Sequence, residues 1–427
     1  MTRSASSQNR PTSDESPRQN VLVLAMITPF PPANAGDAVY SRGVIQSLAP
    51  YLNLTVLCAD GGGAPQNKHF IDWRVKGSQR RGQASSVVSR WPLQAWKGAT
   101  PDFHAELDRL LQRDWSAIIL DNLGTVHALP KLLSYRRIHP DTKLVYVSYE
   151  YEYETRRSKY GAYSMGMAKR VAAALDLRKV GRSEARLLRE TDIVTVINRN
   201  DLLPFRRIAP DQRYFTLTPG YDGPVSVART IDAEVPRRVL LLGGRKSQQK
   251  RQILLDWMRA GYGPLSEAGI EIVIAGDMDD DLRAELQRNW PLARVLGFVD
   301  DLDALIRSAR IGLIADTMGG GFKLRLLSHV FQRLPIVGLD YAVDGLPTAE
   351  GRGYLGAENL TALVRLVVDV IDDTARLDAL QKAAFDDCSA RFSWATRGEQ
   401  LARVLTAPHH ATADLLLDNQ TEVGTEP

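Results

Sequence analysis

Two glycine turns, each followed by cations, are the parts of this sequence best suited to chemistry. The first, LLLGGRKSQQKRQ (240–252), is a strand pattern, a turn carrying Gly244, and a helical pattern with Arg245, Lys246, Lys250 and Arg251. The second, TMGGGFKLRLL (317–327), follows the strand pattern RIGLIAD and places Gly319, Gly320 and Gly321 ahead of Lys323 and Arg325 at a helix start. Glycine lets a backbone approach a ligand closely, and a helix N-terminus offers unpaired N–H groups and partial positive charge. Side by side, the two turns would bring up to four cations onto a diphosphate. Apart, they are a flexible loop and a solvated basic helix face. Neither is a GxxxxGK[ST] loop or a GxGxxG turn.

Two further segments carry polar residues at strand ends. In TPFPPANAGDAVYSRG (28–43), Gly36 and Asp37 stand just before a helical pattern. Asp37 fits a helix N-cap, while Gly36 could alternatively meet phosphate or sugar held by an opposite domain. SYEYEYETRRSKY (148–160) spaces Glu150, Glu152 and Glu154 two apart. On an extended segment they would share one face and raise one another's pKa, as suits a general base or a hydroxyl-binding site. The other reading is an acidic first turn of a helix, favoured by the macrodipole.

These residues need a scaffold of alternating elements. VLVLAMI (21–27), LTVLCA (54–59), SAIILD (116–121), KLVYVSY (143–149) and DIVTVI (192–197) are strand-length apolar runs separated by helical patterns, among them a long basic helix over 168–190. The alternation restarts with VLLLGG (239–244), IEIVIAGD (270–277), RVLGFV (294–299), RIGLIAD (310–316) and PIVGLD (335–340), followed by helices near 357–390 and 393–406. The reading is α/β: two Rossmann-like, doubly wound parallel-sheet domains facing across a cleft. The expected boundaries are a disordered tail at 1–20, an N-terminal domain over 21–222 and a linker over 223–237. A C-terminal domain over 238–392 follows, then a helix at 393–406 packing back toward the N-terminal domain, and a disordered tail over 407–427.

Composition bounds the partners. With 427 residues, 44% of them apolar and 24% charged, the chain is ordinary for a globular protein. No run long enough to span a bilayer occurs, and the first twenty residues lack the apolar core of a secretory signal. Two cysteines and seven scattered histidines make neither a disulfide framework nor a metal site, so no metal is expected. The net charge of +4 conceals an asymmetry: residues 1–230 hold 32 Lys and Arg against 21 Asp and Glu, the remainder 22 against 29. A basic half suits an anionic partner, whether lipid or substrate. No nucleic-acid-binding signature is present, so nucleic acid is not expected. The expected location is cytoplasmic, with peripheral attachment at the inner face of the membrane through the helix over 168–190.

Over residues 20–406 the motifs together resemble the GT-B glycosyltransferases, particularly the retaining group that uses nucleotide-diphosphate sugars. The segments that carry the resemblance are GGGFKLRLL with LPIVGLDYAVDGL, PFPPANAGDAVYSRGVIQSLA, SYEYEYETRR, GRSEARLLRETDIVTVINRND, GGRKSQQK and GFVDDLDALI. The resemblance implies that Arg245, Lys250 and Lys323 hold the donor diphosphate, with Gly319, Gly320 and Gly321 giving backbone access. It sets Gly297, Phe298 and Val299 against the nucleobase and lets Gly36 and Asp37 reach across from the N-terminal domain. Gly244 and Arg325 complete the donor set. Glu152 matches an acceptor-side glutamate, and an inverting reaction would use Glu150 or Glu152 as base. Ser328 stands where the family has a ribose-binding glutamate, His329 where it has alanine, and Tyr149-Glu150 where it has His-Asn. The implied activity is metal-independent hexosyl transfer, with retention, to a saccharide or lipid-linked acceptor, the nucleotide sugar being a substrate rather than a cofactor. Ser328 keeps a non-catalytic nucleotide-sugar binder open as a rival, and the architecture keeps a nucleotide-sugar epimerase.

Overall fold

The computed structural model describes residues 18–31, 33, 35–59, 71–76, 81–163, 165–318, 321–409, 411, 412 and 416. The expected tails lie mostly outside these residues, as do Gly319 and Gly320.

Seven strands form the first sheet: β1 (Asn20–Ala25), β2 (Asn53–Cys58), β3 (Asp72–Val75), β4 (Ala117–Asp121), β5 (Lys143–Val147), β6 (Ile193–Val196) and β7 (Tyr214–Thr216). Their order is β3-β2-β1-β4-β5-β6-β7 and every pairing is parallel. Helices α1 (Gly36–Leu48), α2 (Leu93–Gly98), α3 (Pro101–Leu110), α4 (Leu129–Ile138), α5 (Glu152–Ala162), α6 (Met167–Glu190) and α7 (Leu202–Ile208) connect them. The β1 run is apolar throughout because both sheet faces are covered. Leu22 and Leu24 enter one buried cluster, Val21, Val23 and Ala25 the other.

The second sheet repeats the plan with β8 (Arg238–Leu242), β9 (Glu271–Ala275), β10 (Arg294–Gly297), β11 (Ile311–Ile314), β12 (Ile336–Leu339) and β13 (Tyr354–Ala357), in the order β10-β9-β8-β11-β12-β13. Helices α8 (Gln248–Glu267), α9 (Asp280–Asn289), α10 (Leu302–Arg307), α11 (Arg325–Phe331), α12 (Asp340–Val343), α13 (Leu360–Val370), α14 (Thr374–Cys388) and α15 (Trp394–Thr406) complete the chain. Here too alternate residues divide: Val239 and Leu241 face one core, Leu240 and Leu242 the other. In both sheets the winding direction reverses, between β1 and β4 and between β8 and β11. Ligands of open α/β sheets bind beyond the strand ends at such points.

Three strands had no counterpart in the sequence pattern. β3, β7 and β13 each end their sheet's order; β3 and β13 are only partly buried and β7 has three residues, so none carries the continuous apolar run of a covered strand. The single helix expected near 357–390 is two. It breaks at Asp372-Asp373, where the Asp373 carboxylate accepts from the Arg376 N–H at 3.0 Å and starts α14. The segment over 223–237 lies on the C-terminal domain: Ile231 is buried in its core, and Arg229 donates to the Arg333 carbonyl at 3.1 Å.

Helix α15 returns to the first sheet's layer, burying Leu401, Val404 and Leu405 in the same cluster as Val44 and Ile45 of α1. A Cβ on Gly398 would collide with the Ser47 carbonyl, and one on Gly43 with the Trp394 ring, so glycine permits this close crossing. Buried Lys143 caps the end of α15, donating to the Val404 carbonyl at 2.7 Å and to that of Ala407. A cation at a helix C-terminus offsets the macrodipole there. The two domains are therefore joined twice, by the segment after β7 and by this returning helix.

Candidate active site

The turn after β8 is fixed by its neighbour after β9. The Arg245 N–H donates to the Asp277 carbonyl at 2.7 Å, and a Cβ on Gly276, whose φ is +140°, would fall on the Gly243 carbonyl. Only glycine suits that position. The Arg245 side chain folds back over its own turn, with Nη1 2.9 Å from the Gly243 oxygen and Nη2 3.3 Å from that of Leu242. Its Nε is buried without a partner. Burial pulls the guanidinium down to about 10.

Ser247 caps α8 by accepting from the Lys250 N–H at 3.3 Å, which holds Lys250 in the first turn. Burial lowers the pKa of the Lys250 amine, and the neighbouring charges of Arg245 and Arg325 lower it further. Arg325, at the start of α11, is held down to about 9 by burial and then by Arg245, although it pairs with Asp316. Arg245, Lys250, Arg325 and Asp316 line one small pocket at the β8/β11 reversal, walled by Leu241, Leu313 and Trp257. The buried indole nitrogen of Trp257 has no hydrogen-bond partner. Three cations around a single carboxylate leave this pocket short of negative charge.

Of the cations expected from the two turns, three meet here, and those of the first turn do not all take part. Lys246 pairs with Asp277 at 2.6 Å and Arg251 with Glu285, so both are drawn aside. Lys323 is likewise absent from the pocket. Its ammonium lies 3.2 Å from the Gly321 carbonyl, in the field of Glu150, Lys159 and Asp201, and burial lowers its pKa. Arg325 stands with Arg245 and Lys250 instead, and Lys159 is the charge felt by both Lys250 and Lys323. Gly321, at φ +69°, comes so close to the first domain that a Cβ would sit 3.3 Å from Glu150 and the Tyr149 carbonyl.

Gly244 packs beside the Asp277 carbonyl, and Gly297, at φ +71°, accepts the Gly276 N–H at 2.7 Å. Phe298 projects with 72% of its surface exposed, while Val299 packs on the cluster around Leu240. Ser328 is half-buried on α11 within reach of the Tyr221 hydroxyl. Beside it His329 is fully buried. Its Nδ1 can only donate to the Arg325 carbonyl 2.6 Å away, which leaves Nε2 as an unpartnered acceptor and the ring neutral, its pKa pulled down to about 4 by burial.

Across the cleft, α1 begins at Gly36, and Ala35 rather than Asp37 is its N-cap. Asp37 accepts from the adjacent Ala38 N–H at 2.9 Å and contributes its charge toward Lys250. A Cβ on Gly36 would touch Leu324 of the opposite domain at 3.7 Å. The three glutamates share no face, because α5 starts at Glu152 and turns them apart. Glu150 faces Lys159 at 3.8 Å and the Gly321 loop. Glu152 is buried against Arg156, 3.3 Å away, and its pKa is raised by burial. Glu154 pairs with Arg157 in the open. The acidic first turn is thus the arrangement observed. It is completed by Glu184 of α6, which accepts the N–H groups of Glu152 and Tyr153 at 2.8 and 3.0 Å.

Sequence reasoning missed two carboxylates. Asp121 ends β4 beneath a cavity of about 550 Å³ lined by Asp37, Ser41, Gln94, Lys97, Tyr149 and Arg156, among others. It accepts from Ser41 at 2.5 Å and from the Tyr149 hydroxyl at 2.6 Å. Burial pushes it up to about 6 against those two hydrogen bonds. Asp201 accepts the Tyr151 N–H at 3.2 Å and is pushed to about 7, by burial first and then by the charges of Glu150 and Asp344. A strand-end position was the available signal for Asp121, since SAIILD closes on it. Among the described residues no cluster of three or more His, Cys, Asp or Glu could hold a metal.

This architecture recurs in known structures. HepE of Anabaena, solved with UDP, matches at 14% identity and a TM-score of 0.62, covering 91% of this chain and 99% of that one. Sucrose-phosphate synthase from Thermosynechococcus elongatus matches at 15% identity and 0.67, covering 91% and 98%. WaaG, a glycosyltransferase involved in lipopolysaccharide biosynthesis, matches at 13% and 0.60, covering 91% and 100%. No protein-family model matches the sequence, and no curated protein does. The chain has the GT-B fold.

Proposed function

We propose that this protein is a glycosyltransferase. It moves a hexosyl group from a nucleotide-diphosphate sugar to a saccharide or lipid-linked acceptor, without a metal and with retention, in polysaccharide or glycoconjugate synthesis. The observation that carries the reading is the pocket of Arg245, Lys250 and Arg325 at the β8/β11 reversal, lined by one carboxylate, Asp316, with Asp37 acting on Lys250 from across the cleft. The pocket itself is only about 10 Å³, so a nucleoside diphosphate would lie at its mouth and supply there the negative charge that the cations lack. The solved complex of HepE with UDP-glucose supports a donor of that class, as does that of HepE with UDP.

In the reaction the bond from the sugar's anomeric carbon to the donor phosphate oxygen breaks, and charge develops on the departing diphosphate. Preorganised cations lower that barrier because they need no reorganisation at the moment of transfer. The acceptor hydroxyl forms the new bond on the same face, and its proton passes to the departing phosphate oxygen. Asp121, with Ser41 and Tyr149, orients the acceptor in the N-terminal cavity. Lys323 and Glu150 hold the two domains in register across the cleft. Ser328 favours one rival reading, donor binding without turnover, because it supplies no carboxylate for the ribose.

A thermal-shift screen of nucleoside diphosphates and their sugars tests the proposal. A millimolar donor bound with micromolar affinity should raise the melting temperature through about 4 kcal/mol of linkage. A positive shift followed by release of nucleoside diphosphate only when acceptor is added supports transfer. A shift without release supports the rival, and no shift with any donor overturns both.

A further inference from the structure

Helix α6 is 24 residues long, yet its buried residues are confined to its C-terminal half: Val180, Ser183, Glu184, Leu187 and Leu188. None of the thirteen residues Met167–Lys179 is buried, although eight are apolar. Met167, Val171 and Leu175 recur every fourth position, so they form one stripe, and they are 73%, 54% and 40% exposed. A surface helix ordinarily hides such a stripe.

A second apolar feature borders it. The Lys179 ammonium donates to the Ser86 and Val87 carbonyls at 2.7 and 2.9 Å, which fastens that loop to the flank of α6. Val87 and Val88 at its tip are 43% and 89% exposed. Around both lie cations: Lys169, Arg170, Arg178, Lys179 and Arg182 on α6, and Arg90 beside the loop, against Asp176 as the one carboxylate in Met167–Arg182. That carboxylate is engaged, accepting from the Leu93 N–H at 2.6 Å and the Tyr160 hydroxyl at 2.7 Å. The patch is therefore apolar at its tips and positive around them.

We infer that this face, formed by the α6 stripe and the Val87–Val88 loop, docks on an anionic lipid bilayer. Apolar side chains would enter the headgroup–acyl boundary while the arginines meet lipid phosphates, as interfacial helices do. Charge alone would fit nucleic acid equally well, but Val88 and the Met167–Val171–Leu175 stripe gain nothing from a phosphate backbone. The position also serves transfer. Asp176 anchors the start of α2, whose Leu93, Gln94 and Lys97 line the cavity above Asp121. Docking sets that cavity beside the membrane, where a lipid-linked acceptor resides. This last step rests on the transferase reading; the docking itself does not.

The test is cosedimentation of the full chain with phosphatidylcholine vesicles containing roughly one-third phosphatidylglycerol, against phosphatidylcholine alone. Each cation near an anionic surface is worth about fivefold in binding. The expected result is binding to the anionic vesicles that weakens at least tenfold from 50 mM to 500 mM salt. R178E/R182E should lose most of that binding, and V171S/L175S should lose it with the charge of the patch unchanged. Unchanged melting of both variants would show that they fold, and unchanged nucleoside diphosphate affinity without vesicles separates this surface from the donor site. Failure of the parent protein to bind anionic vesicles at 50 mM salt overturns the inference, as does binding by V171S/L175S equal to that of the parent. Binding to a DNA duplex that survives V171S/L175S while vesicles are ignored overturns it in favour of a nucleic-acid partner.

Discussion

Lys250→Met is expected to weaken nucleoside diphosphate binding about a hundredfold and, at the same time, to raise the melting temperature of the free protein. The two effects have one cause. Burial, Arg245 and Arg325 all disfavour the Lys250 ammonium, and Asp316 is engaged by Arg325. Without ligand the pocket stores repulsion, and methionine of similar length relieves it. A gain of about 1 kcal/mol corresponds to a rise of about 1 °C for a chain of 427 residues, whose unfolding entropy is about 0.9 kcal/mol/K. With ligand, the lost charge-assisted contact to phosphate costs about 2–3 kcal/mol. Binding sites commonly trade stability for function in this way. Calorimetric titration with the nucleoside diphosphate and a melting curve of the free variant check both signs. A lower melting temperature with unchanged affinity would mean that Lys250 is a structural residue.

The second large effect concerns Asp121. Its carboxyl titrates at about 6 in the fold and near 4 in the unfolded chain. The folded state therefore binds more protons between those values, and stability falls as pH rises through the window. Asp121→Asn removes the effect, so the variant should gain up to about 3 kcal/mol over its parent at pH 7 and little at pH 4, read by urea unfolding. Transfer should suffer in the opposite sense. An ionised Asp121 that orients the acceptor hydroxyl contributes about a hundredfold, so kcat should fall by that factor with donor affinity unchanged. The parent's rate should rise through pH 6 and the variant's should not. A variant that keeps both the parent's rate at pH 8 and its acidic limb would remove Asp121 from the site.

What the sequence revealed follows from what is local. The runs around β1, β4, β5 and β8 are legible because strands covered on both faces are apolar along their middles, with Asp121 and Lys143 at strand ends. β3 is half-exposed, and β7 has three residues, so neither leaves a pattern. Arg245 and Lys250 stand out because a glycine turn and a helix start precede them. Lys246 and Arg251 look the same in sequence, and their diversion depends on Asp277 and Glu285, about thirty residues away. Glu150 and Glu152 part company because α5 begins at Glu152, a boundary that spacing alone does not fix. Asp121 owes its altered acidity to burial that outweighs its hydrogen bonds from Ser41, 80 residues earlier, and from Tyr149, and that environment exists in the fold alone.

Determining the structure of the full chain with a bound nucleoside diphosphate tests the central claim most directly. The two phosphates should lie at the β8/β11 reversal, with oxygens within about 3.2 Å of Arg245, Lys250 and Arg325. A nucleotide held elsewhere, with that pocket still empty of anion, would contradict the account.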